Sequence, residues 1–140
     1  MDRVAQFGIA LGALGLLVLV MGLFPGITGR APTLNVGVVQ LAAMLIGWSL
    51  MTFGALIYVK FTYFPKIQSN LTQQVGSRLA LTGIVFAAIC GLADVLGFGS
   101  NAGVLANDVV IGQFQIAGII GSFVLSSLGV ILFAVGNEPR

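Results

Sequence analysis

The chain has no histidine, one cysteine, one tryptophan, and only six basic and four acidic side chains in 140 residues. Without histidine it lacks the commonest general base, the commonest metal ligand and the usual axial ligand of haem- or chlorophyll-type pigments. Cys90 alone can close neither an internal disulfide nor a cysteine metal site, and it reads as a small packing residue. Charged residues make up 7% of the chain, whereas a soluble domain carries about 25%. A surface so poor in charge cannot be dressed for water. The six basic residues are scattered and form no phosphate-binding face, so no nucleic-acid partner is expected. General acid–base work needs positioned titratable groups. With so few, the expectation is a protein that is not an enzyme and that holds no metal or cofactor.

What the chain does have is hydrocarbon. Hydrophobic residues make up 58% and the mean hydropathy is +1.09. A membrane crossing takes about 20 apolar residues at a rise of about 1.5 Å each. Four segments qualify: Val4 to Phe24, Val36 to about Phe64, Leu79 to Phe98, and Val109 to about Val135. The sequence thus predicts an all-α integral membrane four-helix bundle, a single domain over residues 1–140. The second and fourth spans exceed the bilayer core and should tilt or project into the interface.

Breakers separate the spans. Pro25-Gly26-Ile27-Thr28-Gly29-Arg30-Ala31-Pro32 interrupts any helix, as does Gly97-Phe98-Gly99-Ser100-Asn101-Ala102-Gly103. The middle link, Pro65 to Arg78, spaces Ile67, Leu71 and Val75 four apart among polar residues. It reads as a short amphipathic helix lying on the membrane surface or as a polar loop. Arg3, Lys60, Lys66, Arg78 and Arg140 belong to the termini and this link, and only Arg30 to the other two loops. The positive-inside rule then puts both termini in the cytoplasm, here of a bacterial cell whose cytoplasmic membrane the chain spans. Tyr58, Tyr63, Phe61, Phe64 and Lys60 form an aromatic and basic collar at the inner end of the second span. No Ala-x-Ala site follows the first span, which is read as a retained helix.

Displaced by 75 residues without a gap, the chain matches itself. Fourteen identities fall between Arg3 and Pro65, among them Arg3/Arg78, Gly8/Gly83, Gln40/Gln115 and Gly54/Gly129. This self-similarity predicts two tandem parallel helical hairpins, residues 1–65 and 79–140, joined by the cytoplasmic link 66–78.

Helices in lipid associate by close packing of small residues. Gly8, Gly12, Gly15 and Gly22 mark one stripe on the first span. Gly47 and Gly54 mark the second, Gly83 and Gly97 the third, and Gly112 and Gly129 the fourth. Their spacing approaches 3.5 residues, the period of left-handed packing. These ten glycines are the expected seam of the bundle.

Asp94 is the only acid expected well inside a span, about four residues from its outer end. Gln40 and Gln115 lie at similar depth and Gln113 is near, so the four form a candidate polar cluster in the outer leaflet. The alternative for Asp94 is a wet, interfacial carboxylate that caps a neighbouring chain. Mid-span Trp48 is read as facing lipid, with a partner chain or a pigment-like or lipid ligand as the alternatives. Small four-helix exporters and duplicated rotary-ATPase proteolipids depend on a membrane carboxylate that this chain lacks at the required place. Two functions remain. One is a non-catalytic accessory subunit of a larger membrane complex, an energy-converting one among the candidates, with other membrane subunits and lipids as partners. The other is a small transporter or channel acting as a homo-oligomer.

Overall fold

The computed structural model describes residues 3–29, 37–66, 68–98 and 111–136. Among them are four α-helices and no strand: α1 (Arg3–Leu23), α2 (Val38–Tyr63), α3 (Leu71–Gly91) and α4 (Gln113–Val135). Each is long and apolar enough to cross a membrane. The chain is therefore an integral membrane protein, with four such helices among the described residues. The sequence-based span starts at Val36 and Val109 lie outside the described residues, as do Ile67, Arg30 and Arg140.

Local chemistry sets the helix ends. Pro25 stops α1 and opens a single 3-10 turn, Pro25–Thr28, which Gly29 closes at φ 77°. Asn70 caps α3, its side chain accepting a 2.7 Å bond from the Leu71 amide. Past Gly91 the backbone makes further helical turns and stops at Gly97, with φ 84°. There the Phe98 amide donates to the Ala93 carbonyl at 2.8 Å and the Gly97 amide to that of Asp94 at 3.3 Å. Those two bonds define a Schellman stop, which needs a residue comfortable at positive φ.

The sequence placed the third span at Leu79–Phe98, whereas α3 begins at Leu71. Its first two turns take up much of the segment read as a surface helix or loop. Gln73 and Gly76 in those turns are buried, while Leu71 and Val75 stay exposed. Polar side chains do not end a helix whose backbone is capped, and Gly76 extends the small-residue stripe one heptad before Gly83.

Glycines bring α1 onto α2. A methyl group added at Gly8 would sit 2.8 Å from the Tyr58 nitrogen, and one at Gly15 would sit 2.7 Å from the Gly47 carbonyl oxygen. One at Gly22 would lie 2.9 Å from the Met44 nitrogen. Rising numbers on α1 meet falling numbers on α2, so the pair is antiparallel. In the same fashion α3 meets α4. Gly76 lies against Gly129 and Phe133, and Gly83 against Ser122 and Ser126, where a Cβ would come within 2.6 Å of the Ser126 nitrogen. Backbones this close gain dispersion and Cα–H···O contact.

The two pairs correspond with a shift. Gly54 and Tyr58 on α2 play the parts of Gly129 and Phe133 on α4, an interval of 75. Their partners are Gly8 and Gly76, an interval of 68. Gly15 and Gly83 stand in the same relation. Thus the residue that occupies the place of Gly15 is Gly83, not Cys90 as the gapless alignment has it. A seven-residue slip keeps a 3.5-residue stripe in phase, so sequence alone cannot separate the two registers.

Candidate functional site

The pairs meet through α2, which touches α3 and α4 alike. Trp48 stacks on Phe123 with ring centroids 4.3 Å apart and planes 11° apart. One turn further on, the hydroxyls of Thr52 and Ser126 lie 3.3 Å apart, both buried. Numbers rise together on the two helices, so α2 and α4 run in the same direction. Thr52 also donates to the Trp48 carbonyl at 2.9 Å, and Ser122 to that of Gly118 at 2.6 Å. Ser49 and Ser127 make the same bond to the carbonyl four residues back. Such back-bonding lets hydroxyls sit within a helix in an apolar medium without an orphaned donor.

Beside the stacked rings is a crevice of about 470 Å³ between α1, α2 and α4. Leu19 and Leu23 wall it on one side, Met44 and Trp48 on a second, and Ile120 and Phe123 on the third. Every lining side chain is a hydrocarbon, a thioether or an aromatic ring. A smaller hollow of about 230 Å³ lies across Trp48, bounded by Ala55, Ser127, Val130 and neighbours. The indole nitrogen of Trp48 is enclosed and has no hydrogen-bond acceptor.

The candidate polar cluster takes a different form from the expected one. Asp94 is not on the regular helix: α3 ends at Gly91, and the carboxylate stands half-buried in the turns before the Gly97 stop. Gln115 is spent on structure. Its Oε1 accepts from the Gly112 amide at 3.4 Å, and its Nε2 donates to the Gly91 carbonyl at 3.3 Å, tying the start of α4 to the end of α3. Gln113 is exposed and Gln40 half-buried. Gln115 therefore works as a cap and tether, and neither of its bonds goes to Asp94, Gln40 or Gln113.

Of the seam glycines, Gly8, Gly15, Gly22, Gly47, Gly54, Gly83 and Gly129 each face a neighbouring helix at close range. Gly12 presents only its backbone to Gly54, and a side chain at Gly12 would point into open space. Gly97 is the left-handed helix stop with nothing near it, and Gly112 is the residue before α4. Both were expected on the seam because heptad counting carries through a helix end unnoticed.

Sequence reasoning missed Gln73. It was assigned to the link, yet it is fully buried, and neither its amide oxygen nor its amide nitrogen has a partner. Its own backbone nitrogen lies 3.1 Å from where a Cβ at Gly136 would be, so it is wedged at the α3/α4 contact. The signal was available: Gln73 lies three residues before Gly76 and ten before Gly83, on the same helix face.

No metal-ligating group of histidine, cysteine, aspartate and glutamate occurs among the described residues. The class defined by the fold is that of polytopic helical membrane proteins. Within it, no known protein family, curated protein or solved structure matches the chain.

Proposed function

We propose that the chain is an accessory transmembrane subunit, a scaffold within a larger membrane complex. The observation that carries this reading is the isolation of α1. It packs almost wholly on α2 through glycines, and it leaves Phe7, Leu14, Leu16 and Leu17 more than half exposed. A helix held on one narrow stripe offers the rest of its girth to lipid or to other subunits. The centre of the bundle is filled by a stacked ring pair and a hydroxyl pair, which suits a spacer better than a conduit.

In this reading the architecture is a tandem duplication, two parallel hairpins related by a pseudo-twofold along the membrane normal. The matched contacts of Gly54 with Gly8 and of Gly129 with Gly76 support it. So does the parallel course of α2 and α4. The basic residues favour termini in the cytoplasm of a bacterial cell, with the chain in its cytoplasmic membrane.

Mild-detergent extraction of the tagged chain from its native membrane tests the proposal. The chain should migrate with larger membrane subunits, and mass spectrometry of that band names them. A stable small homo-oligomer that passes ions or solutes on reconstitution would replace this reading with that of a transporter.

A further inference from the structure

The two seams that join the helix pairs are not alike. On one side α3 closes on α2 where Gly91 admits Leu45: a Cβ at Gly91 would lie 2.9 Å from Leu45 Cδ1. By the intervals of 68 and 75, the residues that answer Gly91 and Leu45 on the opposite side are Leu23 and Ile120. There, a leucine stands where the glycine would be. Leu23 and Ile120 do not interlock. They remain 47% and 58% exposed and become facing walls of the 470 Å³ crevice. Replacing a glycine by a leucine at the closest approach of two helices props them apart. Propping has opened a slot where the opposite seam is shut.

Its shape and chemistry restrict what fills it. Water is excluded, because a buried water needs two to four polar partners and the lining offers none. A crossing helix of a second protein runs about 30 Å and overruns the slot, whose lining covers only seven residues of α2. A flexible hydrocarbon chain does fit, since roughly 300–1,000 Å³ is the usual size of an apolar small-molecule site. The bilayer crossed by these helices consists of such chains. Along α2 the lining runs from Leu41 to Trp48, seven residues, about 10 Å by helix rise. We propose that the crevice between α1, α2 and α4 binds one acyl chain of a membrane phospholipid, with Trp48 and Phe123 as its floor. The bound chain fills the gap between α1 and α4 and makes the lipid a structural part of the bundle.

Trp48 is the only tryptophan in the chain and reports directly on the slot. The full-length protein is placed in phosphatidylcholine vesicles whose acyl chains carry bromine, a contact quencher of indole fluorescence. Trp48 should lose more than half its emission, and the loss against brominated fraction should follow one lipid site per chain. Filling the slot with L23F/I120F should cut the quenching at least twofold. A55F, which fills the hollow on the other side of Trp48, should leave the quenching as in the unaltered chain. An unquenched Trp48, or a loss that demands several equivalent lipid sites, overturns the proposal on the unaltered protein alone. Equal quenching in L23F/I120F, with helical circular dichroism unchanged, overturns it as well.

Discussion

Trp48 and Phe123 lie face to face across the boundary between the two helix pairs, 4.3 Å apart at their centroids and 75 residues apart in the chain. That interval is the same one that relates Gly54 to Gly129. Stacked aromatic pairs contribute about 0.5–1.5 kcal/mol beyond the area they bury. A double-mutant cycle with Trp48→Leu and Phe123→Leu, read by unfolding in mixed micelles, should return a coupling in that range. The Thr52→Val and Ser126→Ala cycle should return less, about 0.6 kcal/mol, the average for interhelical hydrogen bonds in a membrane. Coupling near zero for the rings would mean that the helix pairs are held together elsewhere.

Gly15 and Gly12 differ by three residues and should respond oppositely to a methyl group. At Gly15 the added carbon meets the Gly47 carbonyl oxygen at 2.7 Å, whereas at Gly12 it meets nothing. Gly15→Ala should cost about 1–3 kcal/mol through overpacking. Gly12→Ala should be neutral or stabilise by up to about 1 kcal/mol, the helix-propensity gain. Thermal unfolding in one detergent measures both, and equal losses would contradict the packing described for α1.

Gln73 buries an amide with no partner on either atom. Leaving such a group unsatisfied costs about 1–3 kcal/mol. Gln73→Met keeps the length of the side chain and removes the polar atoms, so it should raise stability by about 1 kcal/mol or more. A fall in stability would show that the amide bonds to something in the membrane-embedded protein.

The link and the 3-10 turn should lie on opposite sides of the membrane. S69C and G26C, each introduced into a Cys90→Ala background, can be probed with a membrane-impermeant maleimide on intact cells and on inverted vesicles. S69C should react in inverted vesicles alone and G26C on intact cells alone. The reverse pattern would invert the orientation drawn from Arg3, Lys60, Lys66 and Arg78.

Four helices were legible because length and hydropathy suffice to find a span, and the glycine stripe was legible because its period is regular. The start of α3 was not. Asn70 acts through cap geometry and looks no different in sequence from other polar residues, whereas the stop at Gly97 falls at the head of the glycine-rich run read as a breaker. The register of α3 on α4 escaped for a subtler reason. Gapless self-comparison rewards identities such as Gly8/Gly83, while backbone contact rewards only smallness at the right height. The stacking of Trp48 was hidden too, since its partner lies on another helix. Asp94 and the glutamines drew attention through polarity, yet Gln115 is consumed by backbone tethers. The apolar crevice has no sequence signature at all, because leucine and isoleucine facing a gap read like leucine and isoleucine facing lipid.

Gly76, Gly83 and Cys90 recur every seven residues along the side of α3 that meets α4. Such a ladder resembles a screw thread of even pitch: α4 could seat two turns higher or lower and still find small residues beneath it. A thread of that kind fixes angle and distance but not travel. The travel is set at both ends: the Asn70 side chain donates to the Gly136 carbonyl at 3.3 Å at one, and Gln115 Nε2 to the Gly91 carbonyl at 3.3 Å at the other. Two modest polar bonds thus act as the detents of an otherwise sliding joint.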